Sequence, residues 1–93
     1  MPYMRVVRSQ FDPGVAEDLV RLSPDFEAAF RRLPGLQHHH GGADRAGGKA
    51  IMVGIFDTEE HARFDPAALG EVQEKLQALG LRIESRDIYE VVS

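Results

Sequence analysis

The chain contains no cysteine, no tryptophan and no asparagine. Without cysteine, neither a disulfide nor thiolate chemistry is available. No run of 18 apolar residues exists, so no helix is expected to cross a membrane. The opening stretch "MPYMRVVRSQ" has no long apolar run behind its basic residues, and no signal peptide is expected; the chain reads as cytoplasmic. Positive charge is also scarce. Eleven Lys and Arg stand against 15 Asp and Glu, interspersed rather than in blocks. A nucleic-acid surface would need them clustered. The densest basic spot, Arg31–Arg32, falls at the end of a predicted helix, where it complements the helix dipole. With 93 residues the expectation is one domain, 1–93, that folds with little margin and gains from oligomerisation.

What is present is patterned. Residues 3–11, "YMRVVRSQF", alternate and carry β-branched valines, which predicts a strand. Asp12-Pro13-Gly14 stops it and can cap a helix. From Val15 the apolar residues at 15, 19, 22, 26, 30 and 33 form one amphipathic stripe. Pro24 lies inside that stripe and must break or kink it. Ser23-Pro24 could cap a second segment, but the stripe keeps its phase, which favours one kinked helix. Leu33-Pro34-Gly35 ends it. "LQHHHGG" and "AIMVGIF", joined by "ADRAGGK", read as a hairpin. Asp57-Thr58-Glu59-Glu60 reads as a capping box opening a short helix to about Phe64. Asp65-Pro66 opens another, with Leu69, Val72, Leu76 and Leu79 on one stripe and Gly80 as its stop. Leu81 to Val92 is a broken final strand.

The order β-α-β-β-α-β is that of a ferredoxin-like α+β sandwich: a four-stranded antiparallel sheet with helices on one face. The third strand is apolar on both phases, with Ile51, Val53 and Ile55 on one and Ala50, Met52 and Phe56 on the other. Two helices can cover only one face of the sheet. The economical cover for the other is a second copy of the chain, burying Met52 and Phe56 in a sheet-to-sheet homodimer or a higher oligomer.

Four stretches carry a resemblance across nearly the whole chain. These are "FDPG" after the first strand, "LPGLQ" before the second, "HHGGADRAGG" at the hairpin and "IFDTEEHARF" at the acidic helix start. With the element order, they resemble the dimeric α+β barrel superfamily in its antibiotic-biosynthesis-monooxygenase-like branch. The resemblance implies a dimer closing an eight-stranded barrel, no cofactor, and in some members monooxygenation of phenolic or quinol-like substrates. Other members degrade haem, using an Asn on the first strand with a Trp and a His in the second helical region. Here that strand offers Val7, the aromatic before the acidic helix start is Phe56, and His61 lies too early, so haem degradation is not expected.

The histidine run 38–40 is the sharpest functional signal. Side chains alternate along a strand, so His38 and His40 share a face and His39 takes the other. His38 and His40 could chelate an ion, but zinc needs further ligands, for which His61 and Asp57 are available. The other roles are a proton-transferring imidazole in a ligand pocket, or structural histidines at an interface. Register decides the face. With Leu36 opposite Ile55, His38 and His40 join Ile51 and Val53; a slip of one residue places them with Met52 and Phe56. The candidate ligand-binding set is His38, His39, His40, Met52, Phe56 and Tyr89, with His38 and His40 as candidate catalytic groups. The glycine pairs 41–42 and 47–48 mark turns rather than a phosphate loop. The leading reading is a small-molecule-binding dimer with cofactor-independent monooxygenase activity. The rivals are a non-catalytic binding or structural dimer, and a metal-binding variant through His38 and His40.

Overall fold

A computed structural model describes all 93 residues. β1 (Tyr3–Gln10) is followed by a 3-10 turn at Pro13–Val15, then α1 (Ala16–Arg21) and α2 (Ser23–Arg31). The hairpin strands are β2 (Leu36–Asp44) and β3 (Lys49–Phe56). α3 (Glu59–Ala62), a 3-10 turn at Pro66–Leu69, α4 (Glu71–Ala78) and β4 (Arg82–Glu90) complete the chain. The sheet order is β2-β3-β1-β4 and every pairing is antiparallel, the ferredoxin-like arrangement that the element order predicts.

The first helical stripe is two helices, not one kinked helix. They part at Leu22, two residues before Pro24, because proline offers no N–H to the Val20 carbonyl. The Leu22 N–H instead turns back to the carbonyls of Asp18 and Leu19, closing α1. The second stripe is interrupted too. Gly70, at φ +68°, separates the 3-10 turn from α4, so Leu69 and Val72 are buried while Leu76 and Leu79 remain half-buried. The capping residue of α3 is Thr58 rather than Asp57: its Oγ1 accepts from the His61 N–H at 3.1 Å. Asp57 has other partners. Its N–H donates to the Gly35 carbonyl at 2.9 Å, and its Oδ1 lies 2.6 Å from His61 Nδ1.

The hairpin register resolves the question of faces in a way that neither regular pairing allows. Leu36 pairs with Phe56, yet His38 pairs with Ile55, His39 with Gly54 and His40 with Val53. A bulge at Gln37 absorbs the difference. Opposite residues share a face, so Tyr3, Arg5, Val7, Met52, Phe56, His39 and Ile88 point towards the helices. Phe56 and Phe30 are fully buried there, with Ala29, Leu33, Ala62, Leu69 and Val72. Met52 and Phe56 therefore do not lie on the uncovered face, contrary to the expectation from periodicity. The uncovered face carries Met4, Val6, Ile51, Val53, Ile55 and Tyr89. The physical reason is size: the space under the short helices takes the two phenylalanines, and the β-branched row faces outward.

Candidate functional site

The histidine run is divided by the sheet. His38 and His40 are exposed on the uncovered face, as is Tyr89 at 48%. His39 turns under the helices. Its ring stacks on Phe30 with centroids 4.3 Å apart and planes 20° apart, and it tilts against Phe26 at 5.8 Å. The six candidate ligand-binding residues thus never meet in one site: His39, Met52 and Phe56 belong to one face, and His38, His40 and Tyr89 to the other. His38, His40 and His61 do not converge either, and no three His, Asp or Glu side chains are grouped to hold a metal. His61 is instead tied to Asp57, whose carboxyl is held below its ordinary range by that hydrogen bond.

Between the helices and the sheet lies a cavity of about 560 Å³, within the size range of small-molecule sites. Its walls are mostly apolar: Leu19, Val20 and Phe26 from the first helical pair, Met52 from β3, and Leu69 and Leu76 from the second helical region. His39 is part of the lining, and His40 borders it from the same edge strand, while His38, Phe56 and Tyr89 are not among the lining residues. The His39 Nε2 is buried with no hydrogen-bond partner. Burial is the largest influence on this imidazole and pulls its pKa below the ordinary 6.5, against an opposing pull from the Glu27 carboxylate. His39 is therefore neutral at pH 7, with a buried ring nitrogen that no protein group satisfies.

The second polar group of the cavity was not picked out from the sequence. Arg5 sits at the centre of the sheet and is only 6% exposed. Its Nη1 donates to the carbonyls of Ala62 and Phe64, each at 3.1 Å, and its guanidinium lies over the Phe64 ring, 4.1 Å from the centroid. Its Nε is buried without a partner. Burial, then the neighbouring Arg86 charge, lowers its pKa from the usual guanidinium value. The only signal in the sequence is that Arg5 shares its phase of β1 with Tyr3 and Val7. That signal becomes readable only once the helix-facing phase is known.

The architecture defines the class: a ferredoxin-like α+β fold of the kind found in dimeric proteins and in antibiotic-biosynthesis-monooxygenase-like proteins. No family model matches the sequence, and no curated protein matches it. Solved structures do. A dimeric ferredoxin-like protein from an uncultured marine organism is 19% identical, with a TM-score of 0.75 over 100% of this chain and 96% of that one. SnoaB, a cofactor-independent oxygenase from Streptomyces nogalater, is 17% identical, with a TM-score of 0.70 over 99% of this chain and 94% of the other. A protein assigned as an antibiotic biosynthesis monooxygenase from Bordetella bronchiseptica is 14% identical, with a TM-score of 0.75 over 99% and 98%. At these identities the likeness is one of fold.

Proposed function

We propose that the protein binds a small organic molecule in the cavity beside His39, as a homodimer, and oxygenates a phenolic or quinol-like substrate there without a cofactor. The observation that carries this reading is the neutral, stacked His39 with an unpartnered Nε2 beside an apolar cavity of about 560 Å³. In the tautomer protonated on Nδ1, and with the ring turned to bring Nε2 to the cavity, Nε2 accepts the phenolic proton. The resulting phenolate is electron-rich enough to reduce O2. A C–O bond to dioxygen then forms at a hydrogen-bearing ring carbon ortho or para to the phenolate oxygen. The peroxide O–O bond breaks, the carbon loses its hydrogen as a proton, and one water leaves. The products are a quinone-type carbonyl and water, with O2 as the oxidant. A cofactor-independent oxygenase among the similar folds supports this chemistry. The dimer is supported by the uncovered row Ile51, Val53 and Ile55 and by the dimeric ferredoxin-like neighbour.

Oxygen uptake with a panel of quinols and hydroxynaphthalenes tests the reading. Wild type should consume O2, and His39→Phe, which keeps the stack, should be slower by roughly 10²–10⁴-fold, the usual contribution of a general base. No uptake by wild type across the panel rejects the enzymatic part and leaves a non-catalytic binding dimer.

A further inference from the structure

Arg5 is a buried charge without a countercharge. Residues of this type are rarely buried unless paired. Yet none of the ion pairs in the protein includes Arg5, and none includes Arg86. Asp87, which shares a recess with Arg5, lies 3.8 Å from Arg8 rather than in an ion pair with Arg5, and Glu59 lies 3.2 Å from Arg63. Two carbonyls occupy Nη1 of Arg5. Its Nε and Nη2 make no hydrogen bond. With Nε sealed by the packing around it, Nη2 is the edge of the guanidinium left to meet an anion with a charge-assisted hydrogen bond. The Phe64 ring beneath fixes the plane of that edge.

Arg86 brings a second charge to the same place. It pairs with Val7 across β1 and β4, one diagonal step from Arg5 and on the same face of the sheet. Both arginines line the main cavity, and both line a smaller adjoining recess of about 340 Å³ with Arg63, Asp87 and Ile88, so that three guanidinium groups there face one carboxylate. The Arg86 charge adds to the cost of leaving Arg5 unpaired, and an anion between the two would relieve it.

We propose that the cavity takes an organic acid, its carboxylate held by Nη2 of Arg5 and by Arg86, and its apolar body against Phe26, Met52 and Leu69. The proposal rests on the reading of this cavity as the ligand site, and it names the class of ligand. An inorganic anion would satisfy the arginines but leave the apolar wall unfilled.

The test uses 1-hydroxy-2-naphthoate, its methyl ester and inorganic phosphate, titrated calorimetrically against the full chain. Wild type should bind the acid at least about tenfold more tightly than the ester, the scale of one hydrogen bond to a charged group. Arg86→Gln, at an exposed position, should bring the acid down to the ester's affinity and leave the ester unchanged. Arg5→Gln should do the same where circular dichroism shows it folded. Equal affinity for acid and ester in wild type overturns the inference, as does a preference that survives Arg86→Gln. Phosphate that displaces the acid at equal concentration overturns the organic part. The two readings fail separately. A preference for the acid without any oxygen uptake removes the oxygenase alone. Uptake with neutral quinols but no preference for the acid removes the carboxylate site alone.

Discussion

The imidazole of His39 lies nearly parallel to the ring of Phe30, 4.3 Å between centroids, so that one histidine of the three is part of the aromatic packing beneath the helices. This has a pH consequence. The pKa of His39 is lowered in the folded protein, chiefly by burial, with the Glu27 charge opposing and the His40 and Arg31 charges adding to it. The unfolded chain therefore binds the extra proton more readily. Stability should be level above the ordinary value of 6.5 and fall as pH drops below it, until the folded-state pKa is reached. Urea midpoints at pH 7.5, 6.5 and 5.5 check this. His39→Phe keeps the stack and should flatten the profile; an unchanged slope in that variant would place the titration elsewhere.

Phe56 is fully buried and tilts against Phe64 with centroids 5.6 Å apart. Phe56→Ala should destabilise by about 3–5 kcal/mol, a large part of the total for a chain this small. Phe56→Leu should lose about half as much or less. Equilibrium denaturation in urea measures both.

Gly35 holds φ +77° where the chain turns into β2, and a Cβ there would collide with Asp57 Oδ1 and His61 Nδ1. Gly35→Ala should therefore lose the Asp57–His61 contact as well as straining the backbone, at a cost of at least about 1–2 kcal/mol. Asp57→Asn removes only the charge and should be milder. Because the Asp57 carboxyl is held low in the folded state, its contribution is present above the unfolded carboxyl value and should disappear as pH falls through the folded one. Acid unfolding of Asp57→Asn against wild type isolates that contribution.

Ile51 is 40% exposed on the face that no helix covers, alongside Val53 and Ile55. Wild type should sediment as a dimer at micromolar concentration. Val53→Glu should produce monomer or unfold the chain, since each such side chain contributes about 1.5–3 kcal/mol when buried and symmetry counts it twice. A folded wild-type monomer would refute the pairing.

Much of the fold is legible in the residues because each element carries its own punctuation. Asp12-Pro13, Pro34-Gly35 and Asp65-Pro66 all fall at element boundaries, and the antiparallel hairpin follows from its glycine-rich turn. The candidate site is legible only in part. His39 is correctly separated from His38 and His40 by strand alternation, but the face it enters depends on Gln37, which no periodicity marks as a bulge. Arg5 looks like an ordinary surface residue of a strand until Phe64 and the Ala62 carbonyl, some 60 residues away, close over it. Those are tertiary facts with no local signature.

The bulge at Gln37 also marks where this strand can change length. In a regular ladder, removing one residue turns every side chain beyond it to the opposite side. Deleting Gln37 would simply bring Leu36 into step with His38, leaving each histidine where it is. Deleting Gly41, four residues on, would exchange them, putting His38 and His40 beneath the helices and His39 outside. Across divergent versions of this hairpin, then, a missing residue is silent at one position of β2 and inverts the site at the next few.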